Sequence, residues 1–387
     1  MTAKSIPASK SDPTPEPETI PDQTQLVSRF WSSAAGFWRG RSARWAWLLT
    51  LLIVAIAVLE LVVQFAMNLW YRYFFDAFGR KEGTAVWTET LIFIPLVAAS
   101  VTLAILSVWA RMATQRRWRD WLSRHLIDRW VSDGHYLAPE FASGERQSPE
   151  YRIAEDARVA TELPVDLGFG LLTALLTGVV FIEVLWRIGG SLTIEADGVF
   201  FVLPAYLVIA AILYSATLTM GMLAIARRLP RAVEGKNQAE AELRSMASRL
   251  RGVAKGSPAV SMSGAQLRGL RTVLSKVILR WRDLARQLMR FTLLSHANLL
   301  IAPAIGWILC APNYLRGTMT LGEAAQAAAA FVAVQTALNW VVGNYQHLAE
   351  WTASVNRVSS LLIIWDEIDT AKSPPQEAEA ESFGWRE

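Results

Sequence analysis

The sequence has little of the chemistry on which metalloproteins and soluble enzymes depend. Its 387 residues include one cysteine and four histidines, and charged side chains make up only 19%. Cys310 cannot form an intramolecular disulfide, and His125, His135, His296 and His347 are too scattered for a zinc site. No paired acid and base and no nucleophilic triad can be recognised. These absences argue against a disulfide scaffold, a metal centre and an enzyme.

Nucleotide-binding signals are also absent. The chain contains no G-x-x-x-x-G-K-[ST] loop and no Leu-Ser-Gly-Gly run, so it lacks the usual backbone cradle and lysine for nucleotide phosphates. Nucleic acid is not an expected partner, because the basic loops carry neither a reading element nor stacking aromatics. We therefore expect no cofactor in this chain.

Long apolar stretches are what the sequence has instead. Hydrophobic residues make up 52% and the mean hydropathy is positive, which favours a bilayer. Six stretches approach the roughly 20 apolar residues needed to cross a hydrocarbon core. We predict an all-α integral membrane protein whose six transmembrane helices lie near 45–67, 87–110, 167–187, 199–226, 291–311 and 324–343.

The two ends of the chain differ from this apolar part. Residues 1–25 and 367–387 are polar and contain proline and glutamate without an apolar run. Such composition is typical of disordered tails. The predicted transmembrane domain therefore covers residues 26–366.

The distribution of lysine and arginine predicts the orientation. Between the predicted spans there are three in 69–85, nine in 111–163, none in 188–198, fifteen in 227–290 and one in 312–323. By the positive-inside bias, both termini and the two basic loops lie in the cytoplasm. These loops are also suited to contact anionic lipid heads.

The basic loops have helical patterns of their own. Residues 112–138, 230–252 and 265–290 carry apolar positions at intervals of three and four. We expect long helical extensions into the cytoplasm, broken near GVAKGSPAVSMSG.

Several sequence runs then resemble one family. The run SPEYRIAEDARVATELPVD is similar to the motif after the second span in ABC permeases related to the SbmA/BacA peptide transporters. The runs EVLWRIGGSL, NYLRGTMTLGEAAQAAAAF and NYQHLAEWTASVNRV resemble further family segments, in the family's order. Two departures are Ser148, where the family has asparagine, and the degraded run VAKGSPAVSMSG. The motif residues that match are Tyr151, Arg152, Ile153, Glu155 and Asp156.

This resemblance implies the transmembrane domain of an ABC exporter of type IV. It implies a homodimer in the bacterial inner membrane that transports peptides or peptide-like polar solutes, with the motif bracing the inner helices. Three energy sources remain open: a proton gradient, a separately encoded ATPase that alone would use ATP, or none in a non-transport scaffold or remnant.

The first span contains the best-placed intramembrane carboxylate. Glu60, Gln64 and Asn68 recur at intervals of four and form one polar face of a helix. A charged side chain in a bilayer costs about 2.5–3.5 kcal/mol on insertion scales. Glu60 is therefore a proton-coupling candidate, and Gln64 and Asn68 are cavity-lining candidates. A carboxyl group that only bonds between helices is the competing interpretation.

Two other carboxylates and a second polar face complete the candidates. Glu183 is a weaker proton-coupling candidate because Arg187 follows four residues later and favours an ion pair. Glu350, at one end of the sixth span, is weaker still. The second face predicts further cavity-lining side chains, although polar groups can instead join helices to one another. These candidates are Gln335, Asn339 and Gln346.

Overall fold

The computed structural model describes residues 30–32, 34–40, 43–132, 134–137, 149–196, 199–256 and 264–372. The predicted tail 1–25 and residues 373–387 lie outside these ranges, as does most of the run GVAKGSPAVSMSG. The described part is helical apart from one two-stranded sheet.

The first half of the described chain is a succession of helices. They are α1 (Gly36–Arg39), α2 (Ala43–Gly79), α3 (Gly83–Ser132), a 3₁₀ helix (His135–Leu137), α4 (Pro149–Tyr151), a π-helix (Arg152–Asp156) and α5 (Ala157–Gly189).

The second half begins with a β-hairpin and continues as helices. Its elements are β1 (Ser191–Ala196), β2 (Val199–Pro204), α6 (Tyr206–Ala226), α7 (Leu229–Gly256), α8 (Gly264–Leu315), α9 (Leu321–Leu338), α10 (Trp340–Gly343) and α11 (Tyr345–Lys372).

Within the described residues, six helices are long and apolar enough to cross a membrane, which confirms the predicted six-span membrane protein. They are α2, α3, α5, α6, α8 and α9. Helix α3 has 50 residues and α8 has 52. At 1.5 Å per residue each is about 75 Å long, more than twice the hydrocarbon thickness of about 30 Å. The predicted helical extensions are therefore present, with α3 ending at Ser132 and α7 packing against α8.

The fourth span begins later than predicted. Residues 199–204 form β2, which pairs antiparallel with β1 from Ser191↔Pro204 to Ala196↔Val199. The sequence VFFVLP is rich in β-branched and aromatic residues that suit a strand, and hydropathy alone does not separate such a run from a helix. Ala205 then adopts φ 50°, and α6 begins at Tyr206. The all-α prediction thus needs one addition, this hairpin.

The sixth span is interrupted where one continuous helix was predicted. Asn339 (φ −85°, ψ 0°) and Asn344 (φ −106°, ψ 9°) flank the single turn α10. Asparagine competes for backbone hydrogen bonds, and the Asn344 side-chain amide donates to the carbonyl of Trp340 at 2.9 Å. At the other end, α11 runs through Lys372, so residues 367–372 of the predicted tail are helical.

One compact unit of the chain, here called the aromatic unit, has a core rich in aromatic rings. Phe30, Phe37, Trp118 and Trp365 are each at most 2% exposed. The Trp38 ring lies 5.0 Å from that of Phe37 and 5.1 Å from that of Trp118. The unit is made of Met1–Ala46, Arg116–Leu163 and Ala349–Glu387.

The other unit, here called the cavity unit, contains most of the apolar helix length. Its core joins α5, α6, α8 and α9 through buried side chains such as Phe181, Leu207 and Phe331. The unit is made of Trp47–Gln115 and Pro164–Leu348.

Candidate functional site

A cavity of about 860 Å³ lies within the cavity unit. Its wall is built from α2, α3, α5, α9 and α10, so helices distant in sequence supply the lining. Among the described lining residues, Glu60 is the only one with an ionisable carboxylate, and none is a lysine, arginine or histidine. The polar lining side chains are Glu60, Gln64, Asn68, Tyr71, Ser100, Thr173, Thr177, Thr336 and Trp340.

The predicted polar face of α2 lies on this wall. Glu60, Gln64 and Asn68 all line the cavity. The Thr177 hydroxyl donates to Gln64 Oε1 at 3.1 Å, and the Asn68 amide donates to the carbonyl of Gln326 at 3.0 Å. Two of the three polar side chains are thus tied to neighbouring helices and also face the cavity.

Glu60 differs from the other two in its surroundings. The polar side chains that interact with it are Ser107 and Arg111 of α3. The Arg111 guanidinium is held by Asp166 of α5, with 2.7 Å between Nη1 and Oδ1, and it lies 5.1 Å from the Phe169 ring centre. No lysine or arginine of the described chain lies within ion-pair distance of Glu60. Arg111 is instead paired with Asp166.

The face of α9 that lines the cavity is not the predicted one. The lining positions are Ala329, Val332, Ala333, Thr336 and Ala337, followed by Trp340 of α10. Gln335 is 3% exposed and is not among them, so its assignment to the cavity was wrong. Asn339 is also absent from the lining, because its Oδ1 accepts a hydrogen bond from Thr219 at 2.7 Å. A polar face indicates which side of a helix differs from the rest. That side can border either a cavity or a neighbouring helix.

The remaining predicted residues also lie outside the cavity lining. Gln346 and Glu350 lie on α11, beyond the interruption, and both are exposed. The helix that carries the sixth span does not continue unbroken to them, because it is interrupted at Asn339 and Asn344. Glu183 is exposed and its carboxylate is 2.5 Å from Arg187 Nη2, which is the ion pair that competed with the proton-coupling interpretation.

Sequence reasoning missed the hydroxyl and aromatic lining residues. Thr173 and Thr177 of α5 and Thr336 of α9 carry short side chains that are common in membrane helices, so no pattern singles them out. Trp340 had one indirect signal, the asparagines on either side of its turn. Its indole packs against Gly170, where an added Cβ would lie 2.6 Å from Nε1.

At the end of the cavity unit formed by the α9 N-terminus, α2 and α9 are joined by polar contacts. Asp76 accepts a hydrogen bond from the Gly322 amide at 2.8 Å, and Arg72 pairs with Glu323 at 2.9 Å. Thr320 and Glu323 also form a capping box. A Cβ at Gly322 would lie 2.0 Å from the Arg72 carbonyl, so close approach of α2 requires glycine there.

In the aromatic unit, the π-helix contacts α11. Asp156 is 1% exposed, and both of its oxygens accept hydrogen bonds from Arg357, with distances of 2.6–2.9 Å. Arg152 donates to Ser360 Oγ at 3.3 Å. The hydrogen bond to Asp156 raises the pKa of Arg357 above its ordinary value. Arg152 and Asp156, at the two ends of the π-helix, thus both bind residues of α11.

The other motif residues serve local contacts. Ile153 is buried and Tyr151 is 49% exposed. Glu155 pairs with Arg158 at 2.6 Å, and Arg158 also pairs with Glu162 at 2.6 Å. These charged side chains are paired within one continuous stretch of helix, at the spacings of three and four residues that the sequence allowed.

Comparison with known proteins decides the family. The profile described as ABC transporter transmembrane region 2 matches residues 39–315. The chain belongs to this family. The predicted ABC membrane domain is therefore confirmed.

Three relatives of this ABC transmembrane region are named as ATP-binding proteins. The inner membrane ABC transporter ATP-binding protein YddA of Escherichia coli is 25% identical over 342 residues, covering 86% of this chain and 60% of the relative. An uncharacterized ABC transporter ATP-binding protein of Haemophilus influenzae is 21% identical over 351 residues, covering 90% and 58%. One of Synechocystis is 23% identical over 318 residues, covering 81% and 46%.

The chain thus spans between 46% and 60% of the length of these relatives. The family match ends at residue 315, before α9. The similarity to the Escherichia coli protein is longer than that match. Helix α9, which supplies part of the cavity wall, therefore follows the segment on which the family assignment rests.

Proposed function

We propose that this ABC transmembrane region transports polar solutes, peptides or peptide-like molecules, across the bacterial inner membrane, driven by proton uptake and release at Glu60. The observation that carries the proposal is the position of Glu60. It lines the cavity without an ion-pair partner in the described chain, while the neighbouring Arg111 is bound by Asp166.

The energetic cost of a charge at membrane depth supports a functional role for the Glu60 carboxylate. A permanently charged side chain at membrane depth is costly, so such groups commonly mark ion or proton pathways. Gln64 and Asn68 line the same cavity and carry no charge, so they do not hold Glu60 in one charge state. A proton bound from one side and released to the other would couple the carboxylate to opening of the cavity.

The lining supports a polar solute. A volume of about 860 Å³ lies within the usual range of small-molecule sites, about 300–1,000 Å³. Amides and hydroxyls can bond to peptide groups, and the tyrosine and tryptophan rings can cover apolar side chains. The presence of such a cavity also favours transport over a scaffold role.

Transport into liposomes tests this proposal. The purified chain is reconstituted with an imposed pH gradient, and uptake of a graded set of dansyl-labelled short peptides is followed by fluorescence. We expect uptake that depends on the gradient, is lost in Glu60→Gln and is retained in Glu183→Gln, which changes the exposed ion pair. Uptake indifferent to the gradient and to Glu60→Gln would overturn proton coupling.

A separate ATPase is the second candidate source of energy. It is favoured by the relatives, which are named as ATP-binding proteins. ATP and candidate ATPase subunits are added to the same liposomes, outside and inside. ATP-dependent uptake that needs no pH gradient would support this alternative, and unchanged uptake would count against it.

Assembly and orientation complete the proposal. We infer a homodimer with two-fold symmetry, because that is the commonest closed assembly and two copies would enclose a shared route. We place both termini in the cytoplasm from the basic loops. Light scattering in detergent and side-specific labelling of introduced cysteines measure the two properties.

A further inference from the structure

The 3₁₀ helix after α3 carries a histidine that the transport proposal does not use. His135 is fully buried, and its ring stacks on Trp365 with 5.4 Å between centres and 21° between planes. Nδ1 lies 3.0 Å from the carbonyl oxygen of Arg129, and Nε2 lies 2.8 Å from Asp369 Oδ1. Both ring nitrogens therefore face oxygen acceptors.

This arrangement selects one protonation state. A neutral imidazole has one donor and one acceptor nitrogen, so it can satisfy either the carbonyl or the carboxylate, but not both. The imidazolium donates from both nitrogens. Asp369 can supply the negative charge, because its hydrogen bond from Arg129, followed by that from His135, lowers the pKa of its carboxyl below the ordinary value.

We infer that His135, Asp369 and Arg129 form a proton-dependent latch, which holds the last turns of α11 while His135 is an imidazolium and loosens when the ring loses a proton. Among the described residues, the groups facing His135 are the Arg129 carbonyl, the Asp369 carboxylate and the Trp365 ring. Arg129 also binds Asp366 at 2.5 Å and Asp369 at 3.0 Å. The inference is independent of Glu60 and of the proposed transport.

The direction of the pH effect follows from the two ring nitrogens. An imidazolium that loses its proton keeps one donor instead of two, so raising the pH weakens the latch. A neutral ring can donate to the Arg129 carbonyl or to Asp369 Oδ1 but not to both, so one of these two hydrogen bonds is lost. We expect the ratio of loosened to latched α11 to rise about tenfold or more, as for loss of one charge-assisted hydrogen bond.

Spin-label mobility can test the latch because the chain has one cysteine. In a Cys310→Ser background, a nitroxide is attached at Glu367→Cys, an exposed position on α11. Spectra of the full chain in lipid nanodiscs are compared from about pH 5.5 to about pH 8.5. We expect an immobile label at low pH and a mobile component at high pH.

Three variants separate the latch from general loosening. In Asp369→Asn the asparagine amide can donate to a neutral His135, and in His135→Gln the glutamine amide can donate to Asp369, so the pH step should disappear in both. Asp366→Asn removes a partner of Arg129 only and should keep the step. A parent without a pH step, or a step that persists in Asp369→Asn, would overturn the latch. The parent measurement decides even where a variant fails to fold.

Discussion

The two units treat a carboxylate in opposite ways. In the aromatic unit, Asp156 is 1% exposed and receives three hydrogen bonds from Arg357. In the cavity unit, Glu60 is partly buried and has no lysine or arginine of the described chain at ion-pair distance. A buried carboxylate with a bidentate partner is fixed in one charge state. One without such a partner remains available for chemistry, so burial alone does not identify the functional acid.

The strongest test of this contrast removes the partner of Asp156. Arg357→Ala should destabilise the protein by about 3 kcal/mol, the lower end of the range for a buried charge left alone, since the Arg357 side chain is 37% exposed. Thermal unfolding in detergent measures the loss. Arg187→Ala, which breaks the exposed pair with Glu183, is the matched control and should change stability by less than about 1 kcal/mol. Equal effects would remove the distinction between the two kinds of pair.

The next test concerns packing at the cavity. Gly170→Ala would place a Cβ 2.6 Å from Trp340 Nε1, so the indole must move, at a cost of about 1–3 kcal/mol. Gly168, two residues earlier on α5, has open space around its added Cβ. Gly168→Ala should therefore stabilise the helix by about 0.5–1 kcal/mol. The thermal midpoints of both variants, compared with the parent, show whether each substitution stabilises or destabilises the protein. If both shifted the midpoint in the same direction, the packing of Trp340 on Gly170 would be contradicted.

A smaller effect on stability is expected at low pH, and it concerns Asp369 in the aromatic unit. The pKa of Asp369 is lowered by Arg129, so its stabilising contribution is complete above the unfolded-state value, about 3.9, and is lost as the pH falls through the folded-state value. The contribution should be below about 1 kcal/mol because the Asp369 side chain is 39% exposed and solvent screens its charge. Unfolding midpoints below about pH 5 should fall less steeply in Asp369→Asn than in the parent. Parallel curves would contradict the assignment.

The smallest stability change should come from Glu60 itself. Glu60→Gln keeps the size of the side chain and breaks no ion pair of the described chain, so stability should not fall by more than about 0.5 kcal/mol. Circular dichroism during heating measures this. A loss comparable to that of Arg357→Ala would make Glu60 a structural residue and would weaken its proposed role in proton coupling.

Sequence patterns predicted one side of the cavity and failed on the other for a physical reason. Glu60, Gln64 and Asn68 lie on one long, uninterrupted helix, so their spacing alone fixes a common face. Gln335 and Asn339 share a face just as regularly, but that face packs against other helices, as the bond from Thr219 to Asn339 illustrates. Periodicity groups residues on a face without indicating what the face meets.

Interruptions of helices were the other feature that the sequence patterns did not predict. The predicted polar face of the sixth span continues past Asn344, although asparagines at 339 and 344 divide this part of the chain into three helices. Likewise, the β-hairpin took residues 199–204 from the fourth span. The six spans themselves could be predicted because bilayer thickness sets a minimum apolar length, whereas breaks depend on tertiary partners that hydropathy does not describe.

The π-helix at Arg152–Asp156 gives the family motif a length requirement as well as a composition. A π-turn corresponds to an α-helix that accommodates one additional residue in a single turn. Removing Ala154 would let the segment close as an ordinary α-helix, and the helical parts before and after it would keep their phase because the extra residue is absorbed within one turn. Arg152 and Asp156 would then be three residues apart instead of four, so their spacing along α11 would change even though both side chains would still be present. The contact with α11 therefore depends on the length of this segment as well as on its side chains.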